Sequence, residues 1–177
     1  MRCVCVSFLC ILLLGGQVTI GQDIAGPDAA GPPGPRHRPQ TTALFDRMAI
    51  VTVRLMDDEG GVAAVDVRAA VSADEHQAGF QYISAEVIEK SMILFVFPEE
   101  TVTRFHMRNV VAPLDIAFIS SEGEILDIQP MSPDTNGNGP GLRTYGTNQP
   151  FRYALEAYAG FFQEHRISAG KGWLLLR

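Results

Sequence analysis

His106, Asp115 and Glu156 are the ionisable residues whose settings could do chemistry. Asp115 stands between Leu114 and Ile116, and Glu156 between Leu155 and Ala157. A carboxylate inside an apolar run is costly to bury unless it is paired, so each demands a partner or a ligand. Arg108 and Asn109 lie shortly before Asp115, and three arrangements follow. In the first, Asp115 accepts hydrogen bonds from Arg108 or from backbone amides of the 109–113 loop, a purely structural network. In the second, Arg108, Asn109, Asp115 and Glu156 line a polar pocket for an anionic or hydroxylated ligand. The third is hydrolase-like, with His106 as general base, Asp115 as its orienter and Glu156 beside them.

Other chemistries find less support. There is no GxSxG elbow, HExxH helix or phosphate-binding loop. The four histidines are scattered without metal-ligand spacing, and a histidine on a surface is the ordinary case. Asp134, Asn136 and Asn138, followed by Gly139, match the first half of a calcium-loop pattern. Tyr145 occupies the twelfth position where a bidentate Glu is needed, so a turn-rich loop explains the same residues. No cofactor is otherwise implied.

The elements that must position these residues are short strands. Val51, Val53 and Leu55 alternate with Thr52 and Arg54, and Val65, Val67, Ala69 and Val71 alternate again. The cluster Asp57-Asp58-Glu59-Gly60-Gly61 between them predicts a hairpin. Ser72 and Glu75 fit a capping box, predicting a short helix to about Phe80, and Ser84 can cap another turn. Ile93 to Phe97 is a buried-strand candidate closed by Pro98. Alternation through Thr103, Phe105 and Met107 leaves His106 exposed on the other face. Leu114, Ile116 and Phe118 form one face of a strand, which turns at Ser120–Gly123 and returns through Ile125–Ile128. Residues 130–150 form a long Pro/Gly/Asn loop. Order resumes at Tyr153–Ala157, a short helix covers Phe161–His165, and a last strand runs from Trp173 to Leu176. Phe161, Phe162 and Trp173 are core anchors. The pattern predicts a mainly β fold, sandwich- or barrel-like, with two or three short helices.

Length and charge narrow the function. The 177 residues suit one domain, and acidic residues outnumber basic ones by 20 to 14, for a net charge of -6. That balance argues against nucleic acid as a partner and against a polybasic membrane patch. Arg2 precedes an apolar stretch from Val4 to Leu14, too short to span a bilayer and suited to a secretory leader. Thr19 and Gly21 supply small residues for cleavage before Gln22. The expected organisation is a signal peptide over 1–21, a flexible Pro/Gly-rich linker over 22–42 and one β-rich domain over 43–177. All three cysteines (Cys3, Cys5, Cys10) fall in the leader, so the mature chain would carry no thiol and no disulfide. Removing the leader takes away Arg2 and no acidic residue, moving the charge from -6 to -7. The expected location is periplasmic or secreted, with membrane contact only through an uncleaved leader.

Four ordered segments carry a resemblance. Met92–Pro98 (MILFVFP), Phe105–Asn109 (FHMRN), Pro113–Ile119 (PLDIAFI) and Tyr153–Glu156 (YALE), the last with Ala159-Gly160 and Gly170-Lys171, are similar to the family called domain of unknown function 192. Gly79-Phe80-Gln81 resembles the family's upstream GLM element. The similarity spans about residues 49–177. His106 replaces the family's usual Trp, Val110 its Thr, Gln81 its Met and Lys171 its Asp. The resemblance implies a compact, β-rich domain, commonly exported in bacteria and archaea, and supplies no activity. The expectation for function is a non-catalytic module binding a small molecule or an exported protein, with the hydrolase-like enzyme as the alternative.

Overall fold

The computed structural model describes residues 40–134 and 141–175. β1 (Ala49–Met56) and β2 (Val62–Ala70) form the expected hairpin, with Val53 opposite Val65. The Asp57 carboxylate fixes its turn by accepting from the amides of Glu59 (2.9 Å) and Gly61 (2.7 Å). The chain then crosses over to β3 (Ile93–Thr101), which runs parallel to β2. Two helices make the crossover, α2 (Ala73–Ala78) and α3 (Ala85–Ile88). The capping box of α2 is formed: Ser72 Oγ accepts from Glu75 N, and Glu75 Oε2 accepts from Ser72 N at 2.9 Å. Ser84 stands at the N-cap of α3, but its side chain makes no cap hydrogen bond.

β5 (Leu114–Ile119) and β6 (Ile125–Met131) form a second hairpin. β8 (Phe151–Tyr158) pairs with both β3 and β5 and joins the two halves. With β9 (Trp173–Leu175) beside β1, the sheet has seven strands in the order β6-β5-β8-β3-β2-β1-β9. Its two ends meet: Glu124 bridges to Trp173, Leu174 N donates to the Gly123 carbonyl at 2.7 Å, and Ile125 N donates to that of Gly172 at 3.1 Å. The predicted β-rich, barrel-like fold is therefore present.

Several local expectations need correction. β3 does not stop at Pro98 but continues to Thr101, with its register against β8 shifted between Val96 and Thr101. Proline, which lacks an N–H, is tolerated where ladder pairing lapses. Residues 103–107 supply only β4 (Phe105–His106), which pairs with β7 (Thr144–Tyr145) inside the supposed long loop. An unforeseen helix, α1 (Ala43–Arg47), precedes the sheet, so the described residues hold four short helices with α4 (Phe161–Glu164). Thr42 caps α1 by accepting from Phe45 N. Trp173 is half-buried at the sheet's meeting edge rather than in the core, whereas Phe161 and Phe162 are buried as expected.

The central strands are buried on both faces. Ile93, Phe95, Leu114, Ile116, Phe118 and Ala154 pack on one face with Phe45, Phe80, Ile83 and Ile88 from the helical side. Leu94, Ala117, Ile119, Leu155 and Ala157 pack on the other with Leu55, Phe162 and Leu174. Alternation decides which face each site residue meets.

Candidate functional site

Glu156 opposes Ile93 on β3 and Ile116 on β5, which places its side chain on the face covered by the helices. It is only 5% exposed. No side chain or backbone amide among the described residues donates to it. Burial among apolar neighbours pushes its carboxyl up to about 8, because the charged form loses its water without gaining a partner. At neutral pH it is therefore mainly a neutral acid.

The carboxyl opens onto a cavity of about 240 Å³. Its walls include Phe80, Phe95, Phe97 and Phe105, and its polar lining includes His76, Gln81, Arg104 and His106. Gly79 makes the approach to the carboxyl. Its φ of +46° favours glycine, and a Cβ there would stand 3.5 Å from Phe95 Cζ and 4.0 Å from Glu156 Oε2. The His76 ring packs on Phe97 at 4.6 Å between centroids, with Nε2 held 3.0 Å from the Ala70 carbonyl. Phe95 and Phe105 meet edge-to-face at 5.0 Å.

His106 is half-buried and lines this cavity, which corrects the exposed placement that alternation suggested. β4 pairs with β7, and its Phe105 packs on Phe95 and Phe118 of the main sheet. Its Nδ1 accepts from Arg108 N at 3.4 Å, so the neutral ring carries its proton on Nε2. Arg104 Nε donates to Thr144 Oγ1 at 3.0 Å, anchoring an otherwise exposed guanidinium at the cavity's rim.

Asp115 is elsewhere. Its register partner on β8 is Ala157, so it lies on the opposite face from Glu156. Its Oδ2 accepts from Gly160 N at 2.8 Å. The pairing with Arg108 or the 109–113 loop does not form, because the acceptor is satisfied from the turn after β8. The same geometry removes Asp115 as an orienter for His106. Asp115 instead borders a broader surface cleft with Asp58, Asp127, Arg166 and Ser168. Asp58 there is held by Ser168, whose hydroxyl donates at 2.6 Å and keeps its carboxyl below the usual range.

Arg108 and Asn109 do not line the Glu156 cavity. Arg108 Nε is buried without a hydrogen bond among the described residues. Asn109 adopts φ 57°, a conformation it tolerates better than most residues. Its amide donates to Tyr82 Oη at 2.8 Å and to Gln81 Oε1 at 3.1 Å, so it braces the wall that carries Gln81. Asp134 ends a described stretch, and Asn136 and Asn138 lie outside the described residues, so the calcium pattern has no geometry to weigh. No group of three or more His, Cys, Asp or Glu able to hold a metal occurs among the described residues.

Sequence reasoning singled out Glu156 and His106, which the fold does bring to one cavity. It missed His76, Gly79, Arg104 and the phenylalanine walls. Gly79 carried a signal, as a glycine just past a capped helix.

A small β-rich domain with one buried, unpaired acid beneath an aromatic-walled cavity is the class that fold and site define. The family model of DUF192, an uncharacterized ACR, matches residues 54–173, and the chain belongs to that family. Among solved structures it is similar to a candidate transcription regulator from Sinorhizobium meliloti 1021, with 26% identity and a TM-score of 0.64. That match covers 72% of this chain and 94% of the other. A protein of unknown function from Novosphingobium aromaticivorans DSM 12444 shares the fold at 19% identity and a TM-score of 0.61, covering 79% of this chain and 94% of its own. No curated protein matches the chain.

Proposed function

We propose that the protein is a small exported binding module whose ligand enters the Glu156 cavity. The single observation that carries this reading is Glu156, a residue 5% exposed whose carboxyl meets no donor among the described residues and faces a cavity of about 240 Å³. An unsatisfied buried polar group costs roughly 1–3 kcal/mol, and a ligand that satisfies it recovers that cost on binding. Ligand sites combine apolar walls with a few polar groups, and this lining does so. The separation of Asp115 from His106 favours binding over a hydrolase-like mechanism. The acidic charge balance speaks against nucleic acid as the partner.

A thermal-shift screen of sugars, metal ions, amines and organic acids tests the site, since a ligand specific to the folded state raises its melting temperature. The shift should vanish in Ala78→Phe, which fills the lining, while the variant stays folded. A shift that survives it would place the ligand elsewhere. Export rests on the Val4–Leu14 stretch and the Thr19/Gly21 pair. Mass spectrometry of protein recovered from its native host should find Gln22 at the N-terminus, and Met1 retained on cytoplasmic protein would reverse this part of the reading.

A further inference from the structure

We propose that the Glu156 cavity takes a small organic acid, whose carboxylate sits against Glu156, His106 and Arg104 while its apolar body lies between Phe95, Phe97 and Phe105. The inference deepens the binding reading and rests on it. Three features select an anion with an apolar body.

Charge is the first. Among the described residues Glu156 is the only acid in the lining, and Arg104 brings a fixed positive charge to it. The second is the direction of the hydrogen bonds on offer. His106 Nδ1 already accepts from Arg108 N, which leaves an Nε2–H. Arg104 uses Nε on Thr144, which leaves its terminal nitrogens, and a guanidinium can only donate. Gln81 Oε1 accepts from Asn109, and its Nε2 donates to the Gln77 carbonyl at 2.6 Å, so it adds little. Protonated Glu156 offers an O–H, the state that burial favours. His76 Nε2 donates to the Ala70 carbonyl and leaves Nδ1 as an acceptor. The donors on Glu156, His106 and Arg104 outnumber it, and a carboxylate, with two oxygens and about four lone-pair sites, matches those donors. Size is the third feature. The cavity lies below the usual range of roughly 300–1,000 Å³ for drug-sized ligands, which suits an acid of one ring or a short chain.

The titratable and charged groups facing Glu156 are His76 from α2, Arg104 before β4 and His106 on β4, while β3 and β5 present apolar residues. Binding through the protonated acid should weaken about tenfold per pH unit above its midpoint, as the competent fraction falls.

The test is calorimetric titration of the full chain with benzoate, benzamide and benzylamine at pH 6.5 and pH 9. Benzoate should bind at pH 6.5, more tightly than benzamide, and about tenfold more weakly at pH 9. Glu156→Gln, which keeps a donor that does not titrate, should bind benzoate with that pH dependence largely removed. Arg104→Ala should weaken binding at both values. Benzylamine binding better than benzoate, and tightening towards pH 9, would overturn the proposal in favour of a cation paired with ionised Glu156. A benzoate pH dependence unchanged in Glu156→Gln would overturn the role given to Glu156. If no acid binds while a sugar or amine raises the melting temperature and Ala78→Phe abolishes that shift, the ligand class fails and the site stands. If nothing in the wider screen binds, both fail.

Discussion

Leu174 donates its amide to the Gly123 carbonyl at 2.7 Å, and the same two residues leave no room for a side chain at position 123. A Cβ on Gly123 would run into the Leu174 carbonyl oxygen, and the φ of +104° already favours glycine. This contact is where the first and last strands of the sheet meet.

Gly123→Ala should therefore lower stability by more than about 2 kcal/mol, since it adds backbone strain to a backbone clash. Urea unfolding beside the parent chain measures it, and a loss below about 0.5 kcal/mol would mean that the closure is not required.

Glu156 should make the protein less stable as pH rises. Its carboxyl titrates at 4.5 when unfolded and at about 8 when folded, so the folded state holds more protons between those values. Stability is then lost progressively from about pH 5 to pH 8 and levels off above, on the order of a few kcal/mol in all. Glu156→Gln should remove this fall and exceed the parent in stability at pH 8.5. Parallel stability profiles for the two proteins would contradict it.

Asp115→Asn should cost about 1 kcal/mol or less, because an amide oxygen can still accept from Gly160 N. A cost of several kcal/mol would require a buried ionic partner, which the geometry does not supply.

Ser72→Ala should cost about 1 kcal/mol through loss of the capping box on α2, measured by the same denaturation. Because α2 carries His76 and leads into Gly79, the variant should also weaken any ligand bound in the cavity.

Local signals were readable where their cause is local. The β1–β2 hairpin, the Ser72/Glu75 cap and the β5–β6 hairpin follow from alternation and turn chemistry within about a dozen residues. Glu156 was legible because a carboxyl between Leu155 and Ala157 contradicts its surroundings. What escaped notice depends on long-range pairing. Asp115 finds its donor at Gly160, far along the chain, and nothing near position 115 points there. His76 and Glu156 meet one cavity only because β8 inserts beside β3 and the crossover helices lie above it. His106 looked exposed because alternation assumes a long strand, whereas β4 has two residues, pairs with β7 and packs Phe105 on the main sheet.

The position of β8 also fixes when the site can exist during synthesis. Its neighbours β3 and β5 leave the ribosome well before it, and until residues 151–158 follow, each presents an unpaired edge. The β1–β3 layer and the β5–β6 hairpin have no hydrogen-bonded strand between them in that interval. The nascent chain thus passes through a stage with two open apolar edges and no cavity, vulnerable to pairing with other chains. β8 covers both edges and carries Glu156, so the cavity cannot be complete before residues 151–158 are made.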